Sequence, residues 1–271
     1  MREAQCRAMC GTLGAMSVSG DAARWQARVA AILDVARDLR AAGPQPQGRP
    51  FFGLDHRTGT PLRLIDDLAT RGIFRKYEHV LDLGAGLGAT TRYLTSRLGC
   101  TATATARLPG EAAAGRLLTA RAALDWQVFH TVADASRLPF VEAAFTHVWV
   151  VDVLPALGPS DQVLGEAFRV LRPGGHLGIQ EFALRRDDAV FARSGFVARD
   201  IRYEQLDHAG FLEIVGRDVD IAGPAVNAEV GWSQLARRLG SEDPIVRERQ
   251  TIAEALATGT LGIVQLTARR P

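Results

Sequence analysis

A short apolar strand that runs directly into a glycine-rich loop is the most informative stretch of this chain. The strand is predicted over residues 79–83, the loop runs through Gly84, Gly86 and Gly88, and a helix is predicted over roughly residues 89–98. Glycines allow a tight turn and let a ligand lie against bare backbone, while a helix N-terminus presents N–H groups that lack partners. The arrangement predicts a pocket for a nucleotide-type cofactor beyond the end of this strand.

Strands and helices alternate through the middle of the chain. Further strands are predicted over residues 101–106, 128–132, 145–154 and 176–182, and helices near residues 111–124 and from about 160 to the turn at 173–175. The segment FTHVWVVDVL at 145–154 is almost continuously apolar, as is typical of a strand buried on both faces. This alternation predicts βαβ units and a parallel sheet.

Both ends of the chain depart from that alternation. Residues 1–20 are expected to be a flexible leader, in which Met16 offers an alternative start, and helices are predicted over 21–42 and 61–71. After the fifth strand, the pattern predicts helices over 201–208, 227–239 and 244–257, a strand ending at about 219, and a last strand over 259–268.

Composition excludes several classes of partner. The chain of 271 residues carries 32 basic and 30 acidic residues, a net charge of +2, without a basic stripe for nucleic acid. No apolar run approaches the about 20 residues that a membrane span needs, so no membrane partner is expected. The cysteines, Cys6, Cys10 and Cys100, lack metal-ligand spacing with histidine, which predicts no metal site and favours a reducing, cytoplasmic setting.

Asp82 indicates which cofactor the glycine loop holds. S-adenosylmethionine (SAM) carries a cationic amino group and a sulfonium centre, whereas NAD carries a pyrophosphate. A carboxylate at the base of the loop suits SAM and repels NAD. Gly84, Gly86 and Ala89 also satisfy the dinucleotide pattern, and Arg107 could meet a 2′-phosphate, so an NADP-dependent oxidoreductase stays an alternative.

Four runs in the correct order carry a resemblance to a known family. They are VLDLGAGLG (80–88), ADASRLPF (133–140), the strand around 145–154, and FRVLRPGG (168–175). Together they resemble the class I SAM-dependent methyltransferases, in particular the small-molecule branch with the ubiquinone/menaquinone and sarcosine/dimethylglycine methyltransferases. The resemblance implies an α/β fold with a doubly wound, mostly parallel, seven-stranded Rossmann-like sheet and an antiparallel last strand. It also implies an N-terminal helical cap over 21–75 and a SAM-binding domain over 76–271, with helical insertions in 183–258.

The resemblance also implies a set of cofactor-binding residues. In the family, an aspartate at the position of Asp134 contacts the adenine amino group, and the position of Ala106 faces the ribose. Asp152, at the end of the fourth strand, is placed to line the methyl-transfer site. The expected cofactor-binding set is Asp82, Gly84, Ala85, Gly86, Gly88, Ala106, Asp134, Ala135 and Asp152.

The chain departs from the family pattern at two positions. The second strand of the family normally ends in an acid that holds the ribose hydroxyls, but this chain has Ala106 there and no acid between Cys100 and Gly110. Glu111 is the nearest acid that follows. Thr146 replaces a common aspartate. These departures leave open a relative that binds a ligand or catalyses a reaction other than methylation.

Catalytic residues are not evident from the sequence. The sulfonium of SAM is already activated, so positioning the acceptor and excluding water do most of the work, and a base is needed only for a hydroxyl or carbon acid. His56, in the loop before the first strand, and Glu181, at the end of the fifth strand, where doubly wound sheets bind ligands, are the candidates. We predict methyl transfer to nitrogen, oxygen or carbon of a small molecule, and the sequence leaves a homodimer open.

Overall fold

The computed structural model describes residues 18–70, 78–219 and 230–271. Its helices are α1 (Val18–Ala42), α2 (Arg63–Ala69), α3 (Ala89–Leu98), α4 (Pro109–Arg121), α5 (Ser160–Val170), α6 (Ala189–Arg193), α7 (Arg199–His208), α8 (Trp232–Leu239) and α9 (Pro244–Ala257). Its strands are β1 (His79–Leu83), β2 (Thr101–Ala106), β3 (Val128–Val132), β4 (Phe145–Val151), β5 (Leu171–Leu184), β6 (Leu212–Val219) and β7 (Leu261–Arg269). The described residues leave out positions 1–17 of the expected leader. They also leave out residue 71, the predicted end of the second helix, and residue 227, the predicted start of the helix over 227–239.

The strands form one seven-stranded sheet in the order β3-β2-β1-β4-β5-β7-β6. The pairs from β3 to β5 are parallel, and β7 runs antiparallel to both β5 and β6. This confirms the predicted fold class and the antiparallel last strand. The chain order reverses between β1 and β4, and open α/β sheets bind ligands beyond the strand ends at such a reversal.

The C-terminal ends of β4 and β5 differ from the prediction, and β5 also begins at Leu171 instead of at residue 176. β4 ends at Val151 because Asp152 adopts a left-handed backbone conformation with φ of 57°, after which Leu154–Ala156 form a single 3₁₀ turn. β5 was predicted to end at Phe182 but continues to Leu184, which pairs with Leu261 of β7. A partner strand supplied by the end of the chain therefore extends β5.

The two N-terminal helices pack in different places. Trp25, Val29 and Ile32 of α1 are buried in one cluster with Leu118 of α4 and Trp232 of α8. In contrast, α2 packs its buried face against the sheet, where Leu68 shares a cluster with Trp149 of β4. Of these two helices, only α1 contributes to the wall of the main cleft described below.

Candidate cofactor and acceptor site

The glycine loop leaves β1 in a backbone conformation that favours glycine. Gly84, Gly86 and Gly88 have φ of 65°, 57° and 80°, and the Gly84 N–H donates to the Thr105 hydroxyl at 3.0 Å. A Cβ on Gly84 would lie 2.6 Å from Leu157, so the backbone approaches its neighbours too closely for a side chain. These three positions combine positive φ with a close approach, which explains the glycine pattern.

Asp82 lies buried at the base of this loop. Its side chain is 1% exposed, and the Thr91 hydroxyl donates to its Oδ2 at 2.6 Å. Burial raises the pKa of Asp82 to about 7, and the Thr91 hydrogen bond opposes that rise. A carboxylate held in this way gains from a cation brought next to it.

The loop of residues 51–60 covers the glycine loop and is held by distant helices. Asp55 accepts from Arg92 Nη2 of α3 at 2.5 Å, and Arg249 of α9 donates to the carbonyls of His56 and Arg57. Arg57 also pairs with Glu248 at 3.0 Å. These contacts add to turn hydrogen bonds within the loop, such as the one that the Leu54 N–H donates to the Phe51 carbonyl at 2.9 Å.

Three cavities that share lining residues lie at the carboxyl end of the parallel strands. The main cleft, whose empty space of about 950 Å³ includes the solvent at its open mouth, is lined among others by Arg28, His56, Asp82, Gly86, Glu111 and Asp152. The β2 chamber, of about 470 Å³, is lined among others by Ala106, Arg107, Glu111, Ala133, Ala135 and Leu157. The apolar chamber, of about 380 Å³, is lined among others by Asp152, Pro155, Phe182, Phe196, Glu248 and Ile252.

Asp152 stands on the wall that the main cleft shares with the apolar chamber. Its Oδ2 accepts from Thr58 at 2.7 Å and from Thr60 at 2.5 Å, and its Oδ1 accepts from Gln180 at 3.3 Å. Burial raises the pKa of Asp152 to about 6 against these hydrogen bonds. A non-glycine residue held at positive φ is also a frequent mark of a functional site.

His56 lines the main cleft and is 6% exposed. Its Nδ1 has no hydrogen-bond partner among the described residues. Burial, and then the charge of Arg249, lower the pKa of His56 to about 3. The imidazole is therefore neutral at physiological pH and is a weak base.

The structure brings most of the predicted cofactor-binding residues together. Asp82, Gly84, Ala85, Gly86 and Asp152 line the main cleft, while Ala106 and Ala135 line the β2 chamber.

Gly88 and Asp134 lie outside the linings of these cavities. Gly88 is the N-cap residue that precedes α3, and a Cβ there would lie 2.7 Å from His130. Asp134 is exposed and accepts from the backbone and hydroxyl of Ser136, which lower its pKa.

The candidate Glu181 is not brought to the cavities. It is 1% exposed and pairs with Arg202 of α7 through both carboxylate oxygens, at 2.7 and 2.9 Å. Because β5 continues beyond it, Glu181 lies within the strand and not at its end. Thr146, the other departure from the family pattern, exchanges hydrogen bonds of 3.0 Å with the backbone of His79 and so joins β4 to β1.

Several lining residues carried no signal in the sequence. Arg28 pairs with Asp243 at 2.6 Å, and both residues come from segments outside the recognisable runs. Glu248, which also lines the main cleft, likewise carried no signal. Charged residues of this kind become visible as a site only when the fold places them together.

Comparison with known proteins decides the family. The sequence family described as "Methyltransferase domain" matches residues 81–179. A 27-O-demethylrifamycin SV methyltransferase of Amycolatopsis mediterranei is 30% identical over 226 residues, which cover 77% of this chain and 83% of the relative. The chain belongs to the class I SAM-dependent methyltransferases. "Methyltransferase GfsG" of Streptomyces halstedii is also similar, at 28% identity over 77% of this chain and 80% of the relative.

Solved structures show the same fold. The [4+2]-cyclase SpnF superposes with a TM-score of 0.63 at 24% identity, covering 78% of this methyltransferase and 80% of the cyclase. The shared fold thus includes a protein named for a reaction other than methylation, and it is the sequence family that identifies the present chain as an enzyme using SAM. Throughout the described residues, every helix is too short or too polar to cross a bilayer.

The residues around the main cleft fit the cofactor that the family uses. Asp82 offers a buried carboxylate to the cationic amino group, and Arg28 lines the same cleft with a guanidinium. The glycine loop adds bare backbone to the lining. The family membership and this donor set favour SAM over the NADP alternative.

Proposed function

We propose that this enzyme methylates a hydroxyl oxygen of an apolar small molecule that occupies the apolar chamber, with Asp152 as the proton acceptor. The observation that carries the proposal is the position of Asp152, which faces both the main cleft and the apolar chamber. Bound SAM would supply an activated methyl group and would retain the electron pair of the broken bond between sulfur and carbon. Asp152 would accept the proton of the acceptor hydroxyl as the hydroxyl oxygen forms its bond to the methyl carbon.

The pKa values distinguish Asp152 from His56 as the base. A general base works best when its pKa lies near the operating pH, and the pKa of Asp152 is about 6, whereas that of His56 is about 3. An amine acceptor that is already neutral would need neither group. A buried carboxylate with a raised pKa at the junction of the cavities therefore favours a hydroxyl acceptor over an amine.

The lining of the apolar chamber supports an apolar acceptor. Pro155, Phe182, Phe196 and Ile252 form its walls, and the Arg57–Glu248 ion pair contributes its polar groups. The similar methyltransferase from Amycolatopsis mediterranei is named for the 27-O position of a rifamycin, which is consistent with an oxygen acceptor. We assign α1 the role of a cap over the main cleft, and loop 51–60 the role of a cap over the main cleft and the apolar chamber.

The test is a methyl-transfer assay with a panel of apolar, hydroxylated macrocycles and phenols, each paired with its amine analogue. We expect transfer to the hydroxyl compounds, with kcat rising through an apparent pKa near 6, and Asp152→Asn to lower kcat about 10²- to 10⁴-fold and abolish that pH dependence. The affinity for S-adenosylhomocysteine, measured by calorimetry, should stay within about threefold of the parent because the proton acceptor acts on the acceptor molecule.

Three outcomes would contradict the proposal. An equal loss of S-adenosylhomocysteine affinity in Asp152→Asn would make Asp152 a cofactor-binding residue, as expected from the sequence. Transfer to amines alone would exclude a hydroxyl acceptor. Binding of S-adenosylhomocysteine without transfer to any compound in the panel would favour a reaction other than methylation.

We also propose a reducing, cytoplasmic setting for the enzyme. Within the described part of the chain, Cys100 is a free and buried thiol, and burial raises its pKa to about 11. Such a thiol is unreactive and has no partner for a disulfide there. A homodimer and the lack of a nucleic-acid partner stay predictions from the sequence.

A further inference from the structure

The end of β2 lacks the acceptor that a ribose diol needs. Ala106 is 3% exposed, and its methyl group lines the β2 chamber. An adenosine moiety buried there without a partner for its hydroxyls would leave two polar groups desolvated, which costs binding free energy. The structure must therefore offer another acceptor, or the enzyme must bind its cofactor weakly.

Glu111 brings a carboxylate to the same place from the next helix. It lies in the first turn of α4, is 8% exposed, and lines both the main cleft and the β2 chamber. Its Oε1 lies only 3.3 Å from the point that a Cβ on Gly86 would occupy, so the carboxylate rests against the glycine loop. A side chain at Gly86 would crowd the Glu111 carboxylate.

The surroundings of Glu111 favour an anionic acceptor there. Arg57 and Arg107 line the β2 chamber with it, and the helix N-terminus to which Glu111 belongs also stabilises negative charge. Leu108 precedes α4 without a side-chain cap, and Pro109 occupies its first turn. The chain thus places a carboxylate five residues after the usual position, where the start of α4 turns it back toward the glycine loop.

We propose that Glu111 accepts the hydrogen bonds of the cofactor's ribose hydroxyls and so replaces the acid that is missing at Ala106. The inference rests on the use of SAM by this enzyme, and it is independent of the acceptor and of the role of Asp152. Glu111 is a cofactor-binding residue in this proposal and takes no part in the transfer step.

The experiment combines a change in the protein with a change in the ligand. Calorimetry measures the affinity of the parent and of Glu111→Gln for S-adenosylhomocysteine and for its 2′-deoxy analogue. We expect the parent to bind the analogue about ten- to a hundredfold more weakly, since a hydrogen bond to a charged group is lost. Glu111→Gln should lose a similar factor for S-adenosylhomocysteine and should barely discriminate between the two ligands.

Glu142→Gln is the control. It makes the same change of carboxylate to amide at an exposed residue that pairs with Arg270 and lies outside the linings of all three cavities, so its discrimination should equal that of the parent. Thermal unfolding of each variant establishes that the protein is folded at the temperature of the titration.

The possible results separate this inference from the enzyme's use of SAM. Equal affinity of the parent for both ligands overturns the role of Glu111, even if the variant does not fold. The role of Glu111 is also overturned if Glu111→Gln prefers S-adenosylhomocysteine over the 2′-deoxy analogue as strongly as the parent does. Failure of the parent to bind S-adenosylhomocysteine would instead contradict the use of SAM.

Discussion

Arg92 of α3 donates to Asp55 of the covering loop at 2.5 Å, and the two side chains are 0% and 4% exposed. Arg92 also donates to Thr119 at 2.9 Å, and its guanidinium lies 5.5 Å from the centre of the Phe51 ring. One buried cation therefore joins the helix that follows the glycine loop, the loop that covers it, and α4. The helix after the glycine loop and the loop of residues 51–60 are therefore linked in the absence of a ligand.

Removing the acidic partner of Arg92 should destabilise the whole protein. Asp55→Asn leaves a buried guanidinium without its counter-charge, so we expect the free energy of unfolding to fall by about 3–5 kcal/mol in urea titrations. Asp38→Asn is the control, because Asp38 pairs with Arg238 at 3.1 Å on the surface, with side chains 54% and 45% exposed. That exposed pair should contribute less than about 1 kcal/mol. Equal losses of unfolding free energy in the two variants would show that the buried Arg92–Asp55 pair stabilises the protein no more than the exposed pair does.

Asp82 should make cofactor binding depend on pH. Its pKa is raised to about 7 by burial, so below pH 7 the ligand's amino group must displace a proton from the carboxyl. We expect the affinity for S-adenosylhomocysteine to rise about tenfold per pH unit up to pH 7 and to level off above it. Calorimetry between pH 5 and 9 measures this, and Asp82→Asn should give a weaker and nearly flat profile. A parent profile as flat as that of Asp82→Asn would exclude Asp82 as the partner of the amino group.

The same carboxyl should influence the stability of the protein without ligand. The pKa of Asp82 is raised above the value of 3.8 that the free side chain has, so the folded state holds the proton more tightly than the unfolded state. Its contribution to stability is therefore complete below about pH 4 and is lost as the pH rises to about 7. We expect the parent to lose more stability than Asp82→Asn over this interval in urea titrations. If the stability of both proteins depends on pH in the same way, the raised pKa of Asp82 is contradicted.

A methyl group on the glycine loop should damage cofactor binding. Gly84→Ala would place a Cβ 2.6 Å from Leu157 at a φ of 65°, so the loop must move. We expect the affinity for S-adenosylhomocysteine to fall at least about tenfold, because a shift of the loop misplaces the backbone that the ligand contacts. Gly174→Ala is a matched control with φ of 74° and open space around its Cβ. If both variants bind equally well, backbone conformation at Gly84 does not limit binding.

Glu181 should matter for stability and not for the cofactor. Glu181→Gln leaves Arg202 buried without its counter-charge, and we expect a loss of about 3–5 kcal/mol in the free energy of unfolding. Replacement of both residues by methionine should recover much of that loss, since no charge is then left unpaired. The affinity of the folded variants for S-adenosylhomocysteine should match the parent. A loss of affinity for S-adenosylhomocysteine in folded Glu181→Gln would show that Glu181 contributes to cofactor binding.

Local patterns in the sequence were sufficient for the order of the elements and for the cofactor loop. The βαβ alternation and the run from Asp82 to Gly88 are predicted from local patterns, because periodicity, turn chemistry and short motifs act over a few residues. The antiparallel last strand is implied by the family resemblance. The extent of β5 was predicted less well because the pairing of Leu184 with Leu261 joins positions far apart in the chain.

Tertiary structure alone decided which side chains meet. Asp55 and Arg92 are 37 residues apart, Thr58 and Asp152 are 94 apart, and His56 and Arg249 are 193 apart, and no local pattern links the members of these pairs. Glu181 looked like a strand end in the sequence but is buried against Arg202, whereas Glu111 was only the nearest acid to Ala106 and proved to line two cavities. A sequence reports the chemistry and the local conformation of each residue. The distances between remote residues, on which a binding site depends, arise only when the sheet and its helices pack.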